Sequence, residues 1–143
     1  MNNINNANYR SNPLARGKIK FPNRKKQLLD YSGLLFDNIT PSDIDGIIEW
    51  HDGKYAILEY KYKTAQMPFG QKLLLERMAK DLYRSGKEVV VLVAKHEEED
   101  CNKEVDAAKC IVRELYIPTE GVWRKPKGEF TVFDICEMFL GEK

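Results

Sequence analysis

Asp45, Glu59 and Lys61 are the residues whose types and spacing point most directly to chemistry. Two carboxylates brought close together repel each other unless a positive charge lies between them. Mg²⁺ suits that position, because it takes oxygen ligands and keeps several of its waters. A lysine beside such a pair can orient or help deprotonate an attacking water. It can also offset charge on a phosphate.

The elements around these residues must bring them together. Ile44, Ile47, Ile48 and Trp50 have the β-branched and aromatic character of a strand. Asp52-Gly53 is a hairpin-turn signal, and Tyr55 to Tyr62 reads as the return strand. Folding the hairpin there puts position 45 opposite roughly position 60, beside Glu59. Side chains alternate across a strand, so Glu59 and Lys61 project from one face and Lys63 continues it. Tyr60 and Tyr62 are expected on the other face, in the core. Asp43 competes with Asp45 for this role, and both could contribute. Gly46 after Asp45, and the register with Glu59, favour Asp45.

Further along, Pro68 opens a helix that runs to Ser85 and stops at Gly86. Leu74, Leu75, Met78 and Leu82 share one of its faces, and Gln71 lies near its start. Glu88 to Ala94 reads as a strand buried on both sides. Ala108 to Ile117 leans to strand. Thr131 to Leu140 is a closing helix, on the spacing of Val132, Ile135, Met138 and Phe139. A first helix is expected over Arg24 to Leu35, from Leu28, Leu29, Leu34 and Leu35 with Asn23 as cap. The order helix, hairpin, helix, strand, strand, helix predicts an α/β sandwich, a mixed sheet flanked by helices.

A chain of 143 residues fits one domain with a substantial core. Residues 1–20 read as a flexible, Asn-rich and basic arm, and residues 21–143 as the folded domain. Net charge is only +1, but it is unevenly spread. Arg10, Arg16, Lys18, Lys20, Arg24, Lys25 and Lys26 lie in a stretch without acids, which suits phosphate contact or a solvated tail. Residues 97–106 are acidic and read as a solvated loop. Trp123-Arg124-Lys125-Pro126-Lys127 could stack on a base or be a loop around a partly buried Trp. Cys101, Cys110 and Cys136 form no CxxC pair and no zinc pattern, as expected of a reducing compartment. No apolar run is long enough to span a bilayer, and no signal-peptide core precedes Asn8. These features predict a cytoplasmic protein without a membrane partner.

Ser42-Asp43-Ile44-Asp45-Gly46 and Glu59-Tyr60-Lys61, in this element order, resemble the two motifs of the PD-(D/E)XK nuclease superfamily. The resemblance covers about half the chain. It implies a restriction-endonuclease-like fold with a central hairpin. Asp45 and Glu59 would be the Mg²⁺ ligands, with Mn²⁺ as substitute, joined by the backbone carbonyl of Tyr60. Lys61 would position the water, and Gln71 matches a Gln found after the Lys in some relatives. The partner would be DNA, cut to leave 5′-phosphate and 3′-hydroxyl ends. Small members include junction resolvases and phage nucleases, and many dimerise, so a homodimer is implied. The first motif lacks the Pro-Asp pair, since Pro41 lies four residues before Asp45. The first helix offers Gln27 and Asp30 where some members have a Glu, which leaves a second metal open. A different class is also open, a silent module of the same fold that binds nucleic acid or a nucleic-acid-processing protein.

Overall fold

The computed structural model describes Phe21, Asn23 and residues 27–141. By contact density the chain divides into two units, residues 1–41 and residues 42–143. The arm over residues 1–20, with Arg16, Lys18 and Lys20, lies outside the described residues, as do Arg24, Lys25 and Lys26.

In the first unit, residues 27–35 are not helical, against the helix expected over 24–35. The Ser32 amide donates to the Asp30 carboxylate at 2.9 Å, and the Leu34 amide donates to the Tyr31 carbonyl. These local bonds, with Gly33, replace the helical ladder. Leu28 is 96% exposed, so the apolar stripe has no packed surface to hold it as a helix. Phe36 and Ile39 then exchange two backbone bonds across Asp37 and Asn38, both with positive φ. That is a two-residue hairpin turn of the kind Asn and Asp tolerate.

The second unit carries a five-stranded sheet. Its strands are β1 (Gly46–Trp50), β2 (Lys54–Tyr62), β3 (Glu88–His96), β4 (Ile111–Tyr116) and β5 (Trp123–Arg124), in that spatial order. β1 and β2 are antiparallel, as are β3 with β4 and β4 with β5. β2 and β3 are parallel, joined by helix α1 (Phe69–Arg84). A short 3-10 turn (Ala107–Lys109) precedes β4, and helix α2 (Val132–Leu140) closes the chain. The α/β class with a mixed sheet flanked by helices is therefore observed.

β3 lies at the centre, and Val89 to Ala94 are all at most 2% exposed. Their alternation feeds two cores. Val89, Val91 and Val93 join Ile57, Tyr116 and, from α1, Leu75 and Ala79. Val90, Leu92 and Ala94 join Ala56, Val112, Leu115 and, from α2, Val132, Ile135 and Cys136. α2 starts in a capping box, with Thr131 and Asp134 each satisfying the other's backbone amide. All three cysteines are free, Cys110 and Cys136 buried and Cys101 exposed. Among the described residues no helix is long and apolar enough to cross a membrane.

The hairpin turn differs from expectation in detail. The residues with positive φ are His51 and Asp52, not Gly53, and the Gly53 amide donates to the Trp50 carbonyl. Trp50 pairs with Lys54, so the loop has three residues, His51 to Gly53. Gly46 faces Leu58, and continuing that register places position 45 opposite Glu59, one residue short of the expected 60.

Candidate active site

β1 ends its pairing at Gly46, so Asp45 sits where the hairpin frays and β2 runs on alone along that edge. The Tyr60 amide, which has no β1 partner there, donates to the Asp45 carboxylate at 2.8 Å. In return the Asp45 amide donates to Glu59 Oε1 at 3.3 Å. N–H and C=O of one strand residue point the same way. The Tyr60 carbonyl therefore faces the same side as the Asp45 carboxylate.

Glu59 is 2% exposed and is the one charged residue in the core among the described residues. It follows Ile57 on the α1 face of the sheet, and α1 supplies its second hydrogen bond. Gln71 Nε2 donates to Glu59 Oε2 at 2.9 Å, while Gln71 Oε1 accepts from Lys61 Nζ at 3.0 Å. A carboxylate only accepts and an ammonium only donates, so the two charges fix which way the Gln71 amide points. Gln71 thereby links Glu59 to Lys61.

Burial pushes the Glu59 carboxyl up to about 7, and the neighbouring Asp45 carboxylate adds to the shift. The Asp45 amide and the Lys61 ammonium oppose it, and Asp43 adds a smaller repulsion. Among the described residues no ion pair reaches Asp43, Asp45 or Glu59. The site thus gathers negative charge without a cation in contact.

The donors available there are the carboxylates of Asp45 and Glu59 and the carbonyl of Tyr60. All are hard oxygens of the kind Mg²⁺ takes. Each carboxylate offers about four lone-pair positions, and the bonds above leave some free. The set therefore fits a cation that keeps several waters. Among the described residues no cluster of three or more His, Cys, Asp or Glu side chains is arranged to hold a metal.

Other expected positions fall elsewhere. Lys63 does not continue the face of Lys61. β2 ends at Tyr62, and Lys63 has a φ of 50°, which breaks the alternation. Its ammonium pairs with Glu99 at 2.9 Å in the acidic loop and lies over the Tyr62 ring. Tyr60 packs against the α2-side core as expected, and burial pushes its phenol up to about 12. Tyr62 does not pack in a core. It is 42% exposed at the end of the strand, beside the His96 ring.

Trp123 is a packing residue. Its Nε1 donates to Glu76 at 2.6 Å, its ring lies against Tyr116, and the Lys72 ammonium sits over it. Arg124 is held by two bonds to Glu120. Arg113 is a residue that the sequence did not single out. Its guanidinium bonds the carbonyls of Lys63 and Ala65 and so ties down the loop between β2 and α1. No local pattern could have found it, because the contact spans about fifty positions along the chain.

Comparison with protein-family models, with curated proteins and with solved structures finds no match to this chain.

Proposed function

We propose that residues 42–143 form a PD-(D/E)XK-type nuclease domain that hydrolyses DNA phosphodiester bonds with the help of Mg²⁺. The observation that carries this reading is the buried Glu59, interlocked with Asp45 and linked through Gln71 to Lys61. A buried carboxylate held beside a second one is unfavourable unless a cation or a proton compensates it. The order hairpin, α1, parallel β3 also supports a restriction-endonuclease-like core. The helix expected ahead of the hairpin gives no such support, since residues 27–35 are not helical.

Asp45, Glu59 and the Tyr60 carbonyl would hold the cation. When bound, it stabilises charge developing on the phosphate and lowers the pKa of its water. Lys61 would hold the attacking water and face the phosphate oxygens. Gln71 keeps its ammonium from turning directly onto Glu59. The attacking water gives up a proton to solvent as its oxygen bonds phosphorus and the bond to the 3′ oxygen breaks, and a proton from solvent reaches that oxygen, leaving 5′-phosphate and 3′-hydroxyl ends.

Incubation with linear, flapped, single-stranded and four-way-junction DNA in Mg²⁺ tests the reading. Wild type should cut at least one of these substrates, EDTA should stop it, and Glu59→Gln should be inactive while folded. Equal cleavage by Glu59→Gln, or no cleavage of any substrate, would overturn it. DNA binding without cleavage in Mg²⁺ or Mn²⁺ would instead favour the silent binding module.

A further inference from the structure

β2 and β3 are parallel and in register over nine residue pairs, and one of those pairs is Lys61 with Lys95. Paired residues on neighbouring strands project from the same face, and strands lie roughly 4.8 Å apart. Lys95 therefore stands beside Lys61 on the α1 face, one strand further from the carboxylates. Both lysines lie near the carboxyl ends of their strands, where open α/β sheets place their ligands.

The row across this end of the sheet is graded in charge. Asp43 and Asp45 precede β1, Glu59 and Lys61 are on β2, and Lys95 is on β3. Lys61 is engaged by Gln71, whereas the partner of Lys95 is weak. Its Nζ is 3.8 Å from Glu97, and the two side chains are 41% and 68% exposed. Such an exposed pair contributes little and is easily exchanged for a phosphate. Beyond Lys95 the surface recedes into a cavity of about 340 Å³, which it lines with His96, Glu97, Asp106 and Lys109.

We infer that Lys95 is a positioning residue that binds a backbone phosphate next to the scissile one, on the β3 side of Lys61. This rests on the nuclease reading above. It adds a direction: the cut strand crosses the sheet from the carboxylates toward β3, perpendicular to the strands. Lys95 would supply binding and alignment, and the chemistry would stay with Glu59, Asp45 and Lys61.

Lys95→Ala, Lys95→Arg and, as a control in the exposed acidic loop, Lys103→Ala test this on a substrate that wild type cuts. Lys95→Ala should raise KM about tenfold, as expected for loss of a charged hydrogen bond, with a smaller loss in kcat. The slope of log binding against log salt should flatten by about 0.9, one phosphate's worth. Lys95→Arg should restore both, and Lys103→Ala should match wild type. Cleavage by wild type with unchanged KM and salt slope in Lys95→Ala overturns this inference and leaves the nuclease reading standing. A wild type that neither binds nor cuts any DNA overturns both.

Discussion

The amide of Asp45 donates to Glu59 Oε1 while the Asp45 carboxylate takes the amide of the next residue, Tyr60. Two acids that repel through their side chains are thus stitched together through the backbone. The arrangement is possible because β1 stops pairing one residue after Asp45, which frees the Tyr60 amide. Backbone donors hold the carboxylates close at a fixed separation, whereas two free side chains would swing apart.

Gln71 should matter more for rate than for metal affinity. It bonds both Glu59 and Lys61, and its amide can satisfy both only in one orientation. Gln71→Met keeps the length and removes both bonds. The expected result is about a tenfold loss of kcat and about 2 kcal/mol of stability. Half-saturating Mg²⁺, read from the rise in melting temperature, should change little. An unchanged kcat in a folded Gln71→Met protein would show that the link is only structural.

What could be read from the chain in advance was local. The strand over Glu88 to Ala94, the helix between Pro68 and Gly86 and the hairpin about Asp52 each carry their own signal within a few residues. Glu59 and Lys61 shared a face because alternation in a strand is local too. The first helix was misread because Leu28, Leu29, Leu34 and Leu35 make a stripe, and a stripe is only worth a helix if a surface buries it. Lys63 was misplaced because one residue with positive φ ends the alternation. The pairing of Lys61 with Lys95 needed the parallel register of β2 and β3, set by packing across α1 and by nothing near either lysine.

Thr131→Ala tests the fold independently of the site. Thr131 Oγ1 accepts from the Asp134 amide at 3.1 Å, and the Asp134 carboxylate accepts from the Thr131 amide at 2.9 Å. Removing the hydroxyl leaves a helix-end amide without its partner. The cost should be about 1 kcal/mol, or roughly 4 °C in melting temperature for a unit of this size. Thermal melts followed by circular dichroism check this. DNA cleavage at 25 °C should be unaffected, because α2 packs on the face of the sheet opposite Glu59.

Lys61→Met should separate catalysis from metal binding. An ammonium does not ligate Mg²⁺, so the metal-induced rise in melting temperature should persist. Because Lys61 lowers the Glu59 carboxyl, its removal should weaken metal binding only through a slightly more proton-loving Glu59. Cleavage at saturating Mg²⁺ should fall by about 100-fold or more. Wild-type rates in this variant would remove Lys61 from the chemistry.

Glu59 should write its own signature into the pH dependence of stability. In the folded protein its carboxyl is pushed from 4.5 up to about 7, first by burial and then by Asp45. Between those values the folded state holds a proton that the unfolded chain has released. Stability without metal should therefore be highest below about pH 4.5 as far as this group is concerned. It should fall as pH rises through the window and level off above 7. The full change is on the order of 3 kcal/mol. Melting temperatures in EDTA between pH 4.5 and 8 measure it, compared with Glu59→Gln, which has no proton to lose at this position and should show a flatter profile. At pH 5 the protonated wild-type carboxyl and the variant's amide each carry a donor at one end of the group, so the two proteins should be close in stability there, with the variant the more stable at pH 8. Mg²⁺ should act most strongly at the alkaline end, where Glu59 is ionised and the ion need not displace a proton. Wild type and Glu59→Gln profiles that run parallel in EDTA would mean that Glu59 is ionised in the folded protein at no cost. The case for a cation between Asp45 and Glu59 would then lose its electrostatic basis.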